Sequence, residues 1–104
     1  MATFEEFRGA IDPLLDPKTV TVEQLRTANW DQIAGLLSSS MARVRSSTMS
    51  DEERQYLTAL PGKIDGLDDV LQGDQVDVDV AKEVDAKLSG IWTLAHTIIK
   101  AFGG

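Results

Sequence analysis

His96 is the first side chain to test for catalysis or metal binding, because it is the only histidine in the chain. It lies one helical turn from Trp92 and from Lys100, and its own helix offers no carboxylate within a turn to orient it. General acid–base catalysis needs a partner within hydrogen-bonding reach, and a dinuclear metal bundle needs Glu-x-x-His pairs on two helices. We therefore expect His96 to be a structural residue.

Residues 65–85 are rich in acids, which invites a calcium-binding interpretation. A calcium-binding loop that began at Asp77 would place Asp79 at its third position, as that motif requires. The same loop would place Lys82 where a glycine is needed and Leu88 where a bidentate glutamate belongs. The spacing therefore argues against a calcium site, and we expect these acids to be solvated or to cap helices.

The motifs of other enzyme classes are also missing from the sequence. Gly62, Gly66 and Gly73 lack the spacing and the preceding strand of a phosphate-binding loop, and no serine lies in a Gly-x-Ser-x-Gly elbow. The chain has no cysteine, which excludes a disulfide, a thiolate metal site and a cysteine nucleophile. It leaves the compartment open, and a reducing cytoplasm is the default expectation. We expect no catalytic residue, no metal and no cofactor, and so a protein that is not an enzyme.

The charge of the chain favours a protein partner. Seventeen acids and ten bases give a net charge of −7, and the bases are scattered, whereas nucleic-acid binding needs a clustered positive face. An acidic surface can instead steer association with a basic protein. The candidate partner-binding residues are acids expected to be exposed in residues 65–79: Asp65, Asp68, Asp69, Asp74, Asp77 and Asp79.

The longest amphipathic segment extends over residues 80–102 and presents one continuous apolar face. The simplest interpretation is a core helix, but an interfacial helix that lies on lipid has the same pattern. The uncharged stretch from Leu88 to Ile99 is too short to span a bilayer, and we expect a soluble resting protein. On the alternative interpretation, the residues that face a membrane or a partner are Ile91, Trp92, Ile98, Ile99 and Phe102.

Local capping patterns define the elements that must position these residues. A capping residue followed three positions later by Glu or Gln occurs at Thr3, Thr21, Asn29 and Ser50, and Asp77 or Asp79 can cap the last helix. The pattern predicts four main amphipathic helices at 3–15, 29–46, 50–72 and 79–102, with a short helix at 21–28. Pro13 should produce a kink or a short second turn in the first helix, and Pro61 a kink in the third main one.

The inventory predicts an all-α protein, a small antiparallel bundle that forms a single domain over residues 1–104. A polar loop lies near 45–50 and an acidic lead-in near 73–79. In the second main helix, Ser40 is expected to let a neighbouring helix approach closely, and Arg43 and Arg45 to interact with the helix dipole.

Three functional hypotheses are compatible with this bundle. The first is a protein-binding module that acts as a regulator, as an inhibitor or immunity-type protein, or as a chaperone-like adaptor. The second is a membrane-active protein that uses the helix at 80–102. The third is a structural subunit of a homo-oligomer or virion, which differs from the first only in the identity of its partner.

Overall fold

A computed structural model describes residues 4–73 and 75–103, in which all the regular secondary structure is helical. The prediction of a small all-α bundle is confirmed, and within the described ranges the residues between helices form turns and loops with no strand. The helices are α1 (Phe4–Ile11), α2 (Val22–Thr27), α3 (Trp30–Arg45), α4 (Asp51–Asp65), α5 (Asp68–Leu71) and α6 (Val78–Gly103), and a 3-10 turn at Asp12–Leu14 follows α1.

Helix α6 is the central element of the bundle. It packs against α2, α3, α4 and α5, while α1 packs on α3. Its 26 residues correspond to about 39 Å, most of the 45 Å long axis of the molecule. The residues that face the core recur every three or four positions and are at most 3% exposed: Val84, Leu88, Ile91, Ala95 and Ile98.

The predicted helix starts at Thr21 and Asn29 are confirmed. Thr21 Oγ1 accepts a hydrogen bond from the backbone N–H of Gln24, and the Gln24 side chain accepts one from the N–H of Thr21. Asn29 Oδ1 accepts a hydrogen bond from the N–H of Gln32 and so caps α3. The capping box predicted at Thr3 lies outside the described residues.

The first predicted helix ends where Pro13 interferes with it. Helix α1 stops at Ile11, and the chain continues as a 3-10 turn, the short second turn that the proline favours.

The predicted single helix at 50–72 is wrong, because this segment is divided into α4 and α5. Helix α4 continues through Pro61, and the break comes where the N–H of Leu67 bonds to the carbonyl of Ile64, three residues back. The side chain of Leu67 is fully buried, so packing holds this tighter turn.

A buried ion pair joins α3 to α4. Glu53 is only 3% exposed, and its carboxylate accepts hydrogen bonds from the Arg43 guanidinium at 2.5 Å and from Ser40 Oγ at 3.1 Å. Ser50 Oγ accepts a hydrogen bond from the N–H of Glu53, so only this half of the predicted capping box forms. Two roles go beyond what was expected: Arg43 binds a carboxylate on another helix, and Ser40 donates a hydrogen bond to the same carboxylate.

Candidate functional site

The negative charge of this chain is concentrated in residues 65–85, which we call the acidic segment. It contains eight acids and one base, Lys82, whereas the rest of the chain contains nine acids and nine bases. The acidic segment therefore carries the whole formal net charge of −7.

Three structural elements carry the acids that the sequence analysis singled out. They are the end of α4, the first turn of α5 and the start of α6. Asp74 lies outside the described residues, and the other five carboxylates are exposed: Asp65, Asp68, Asp69, Asp77 and Asp79.

Only one of these five carboxylates forms a hydrogen bond that stabilises a helix end. Asp77 Oδ1 accepts a hydrogen bond from the N–H of Asp79 at 2.8 Å, so Asp77 is the N-terminal cap of α6. Within residues 4–73 and 75–103, every ion pair joins an arginine to a glutamate outside the acidic segment. The other exposed carboxylates of the segment are thus not neutralised by a cation in direct contact.

A groove of about 550 Å³ lies between α5 and the first turns of α6. Val78 is 67% exposed there, the highest exposure of any large apolar side chain in the described residues. An apolar surface inside a charged rim is typical of an interaction site. The lining combines apolar and charged side chains: Leu71, Val76, Val78 and Ala81 with Asp68, Lys82 and Asp85, besides Gln72 and Gly73.

A second groove, of about 280 Å³, continues along α6 beside the end of α4. It shares Asp68 and Asp85 with the first groove, so the two are adjacent. Its other lining residues are Ile64, Asp65, Leu88, Ser89, Trp92 and Thr93. We call the two grooves together the acidic trough. It follows α6 from Val78 to Thr93, a length of about 22 Å.

The trough brings together two of the acids chosen from the sequence, Asp65 and Asp68, whereas Asp69, Asp77 and Asp79 are outside its lining. Sequence reasoning missed Asp85 and Val78 as site residues. The alternation of valines with acids at the start of α6 was the available signal for Val78, because residues two positions apart lie on opposite sides of a helix, so Val78 and Val80 cannot both face the core.

The apolar candidates on α6 fall into two groups. Ile91 and Ile98 are 3% and 0% exposed, and both belong to the core. Trp92, Ile99 and Phe102 are half-buried. While the bundle is closed, Ile91 and Ile98 cannot contact lipid or a partner. None of the described helices has the length and apolar character that a membrane crossing requires.

His96 stacks on Trp92, with ring centroids 5.0 Å apart and an angle of 18° between the rings. The indole N–H of Trp92 is buried and has no hydrogen-bond acceptor. In the part of the chain that the structure describes, no three histidines or acids converge on a point where they could hold a metal ion. The arrangement of His96 is that of a packed ring at the edge of the core.

The acidic trough has the chemistry to bind a cationic and partly apolar surface. Its carboxylates can accept charge-assisted hydrogen bonds from Lys or Arg, and the exposed valine can cover an apolar side chain. Comparison of the chain with protein-family models, with curated proteins and with solved structures gives no match.

Proposed function

We propose that this chain is a non-enzymatic interaction protein that binds another protein through its acidic trough. On this proposal it acts as a regulator, an inhibitor or an adaptor. The observation that supports it is the concentration of the net charge of −7 in one segment, around a groove with an exposed valine. Such a surface accelerates encounters with a basic partner and discriminates against acidic ones. The absence of cysteine supports a cytoplasmic setting for this binding.

The sign of the charge favours a basic protein over other partners. Phosphate backbones and anionic lipid headgroups are repelled by unneutralised carboxylates. A second copy of the chain that docked through the same end would place two segments of net charge −7 against each other. The proposed partner is therefore a different protein with a positive surface.

The test is capture of a partner from a lysate of the source cells with two matched variants. Asp68→Asn/Asp85→Asn removes the two acids that both grooves share, and Asp31→Asn/Asp51→Asn removes two exposed acids elsewhere. Both variants have the same net charge. We expect wild type and the Asp31/Asp51 control to retain one stoichiometric partner that the Asp68/Asp85 variant loses.

Equal capture by all three proteins would contradict the proposal. Recovery of the protein only with membranes, together with flotation on protein-free liposomes, would favour the membrane-active alternative instead. Circular dichroism of each variant checks that the helical bundle is intact.

A further inference from the structure

We infer that the acidic trough binds a short basic segment of the partner, in which a large apolar side chain is followed by several Lys or Arg residues. This inference rests on the proposed function and deepens it, because it names the chemistry of the partner and the position of each part. The apolar side chain lies against Val78, and the basic side chains lie along Asp65, Asp68 and Asp85.

The first argument is the order of chemistries along the trough. The end beside α5 is apolar, with Leu71, Val76 and Val78 in its lining. The carboxylates of Asp68 and Asp85 lie where the two grooves join, since both residues line both grooves. A ligand that satisfied only the carboxylates would leave the valine exposed, and a purely apolar ligand would cover charged groups without pairing them.

The second argument is length. A trough of about 22 Å accommodates about fifteen residues of an α-helix or about seven residues of an extended chain. A single metal ion does not fit the arrangement, because within residues 4–73 and 75–103 no three carboxylates converge as a metal site requires. The geometry points to a segment that follows α6 over several side chains.

The probe that tests the inference is a synthetic peptide in which leucines are flanked by lysines, with two matched relatives. One relative has serine in place of each leucine, and the other has glutamine in place of each lysine. The fluorescence of Trp92 reports binding, because this residue lines the second groove. Trp30 is 6% exposed and its indole N–H is bonded to the carbonyl of Leu25, so its emission should stay constant.

We expect the leucine–lysine peptide to bind. The affinity of each relative should be lower by a factor of about ten or more. Val78→Ser should weaken binding of the leucine–lysine peptide about fivefold while it leaves the serine peptide unaffected. Asp68→Asn/Asp85→Asn should weaken binding about fivefold and reduce its dependence on salt, and Asp31→Asn/Asp51→Asn should change it by less than about twofold.

Three results would overturn the inference: no binding of the leucine–lysine peptide, equal binding of the serine relative, or equal losses in the two acid variants. Equal binding of the serine relative would identify a surface that responds to charge alone. The lysate capture separates this failure from that of the proposed function. If Asp68→Asn/Asp85→Asn loses a protein partner that the wild type retains, although the leucine–lysine peptide does not bind, the inference about the basic segment fails and the proposed function stands.

Discussion

At the scale of single residues, the two tryptophans differ in one hydrogen bond, and this difference predicts how each contributes to stability. The indole N–H of Trp30 donates to the carbonyl of Leu25 at 2.7 Å, whereas that of Trp92 is buried without an acceptor. A buried donor that lacks a partner costs about 1–3 kcal/mol. Replacing it with an apolar ring removes this cost.

We therefore expect Trp92→Phe to change the free energy of unfolding by less than about 1 kcal/mol, because lost packing and the removed donor oppose each other. Trp30→Phe should lower the free energy of unfolding by about 2 kcal/mol more than Trp92→Phe does, because it removes the buried hydrogen bond from the indole N–H to the carbonyl of Leu25. Urea unfolding of both variants measures the difference. A larger loss for Trp92→Phe would show that its indole N–H has an acceptor in solution.

A second prediction at the scale of single residues concerns Tyr56 and the dependence of the free energy of unfolding on pH. Its hydroxyl donates a hydrogen bond to Asp12, and its ring contacts Phe4 and Phe7. Burial, and then the hydrogen bond to Asp12, raises the pKa of Tyr56 well above its ordinary value. The unfolded chain loses the phenolic proton above about pH 10, while the folded chain keeps it.

The free energy of unfolding should therefore fall as the pH rises above about 10, by at most about 1.4 kcal/mol per pH unit. Solvent around the half-exposed ring reduces this slope. Below that pH the contribution is constant. Tyr56→Phe should lack this part of the pH dependence, and the difference between the two unfolding curves isolates it from lysine titration, which both proteins share.

At the scale of elements, the end of α3 depends on one residue in a left-handed conformation. Ser47 has a φ of 60°, the N–H of Thr48 bonds to the carbonyl of Arg43, and that of Ser47 bonds to the carbonyl of Val44. These two bonds define the Schellman motif, in which glycine is the preferred residue at this position.

Ser47→Gly should raise the free energy of unfolding by about 0.5–1 kcal/mol, because a residue without Cβ adopts a positive φ with little strain. Thermal unfolding followed by circular dichroism measures it. Ser46→Gly is the matched control, since Ser46 has an ordinary helical φ, and we expect it to destabilise the helix end. Equal effects of the two variants would contradict this explanation.

How far the sequence predicted each element depends on the distance between the interacting residues. The caps at Thr21, Asn29 and Asp77 were predictable, because each involves residues two or three positions apart. The partner of Glu53 was not, because Arg43 is ten residues away on another helix. The break between α4 and α5 was missed for the same reason, since the packing of Leu67 holds it.

At the scale of the whole molecule, the candidate site follows the same rule. The acids chosen by composition that the structure describes are exposed, but the sequence could not show that Asp68 and Asp85 share two grooves. That relation exists only after α5 has packed beside α6. The alternation of Val76, Val78 and Val80 with acids indicated that one valine faces solvent, but only the fold shows that it is Val78, because the other two are half-buried.

The net negative charge of the acidic segment should affect stability as well as binding. Like charges in the acidic segment repel one another in the folded state, and salt at about 0.1 M largely screens the repulsion between exposed charges that are more than about 10 Å apart. The melting temperature should therefore rise by a few degrees from low to physiological salt. The rise should be smaller in Asp68→Asn/Asp85→Asn than in Asp31→Asn/Asp51→Asn. Identical rises in these two variants would show that the repulsion is not localised at the trough.

The central position of α6 also has a consequence for biosynthesis. The helix packs against α2, α3, α4 and α5 but is the last of the described helices in the chain. On the ribosome, the apolar faces of α2, α4 and α5, and the face of α3 that α6 covers, stay exposed until residues 78–103 have emerged from the exit tunnel. Core residues such as Leu25, Leu57 and Leu60 are thus open to chaperones, and to aggregation, until α6 has formed.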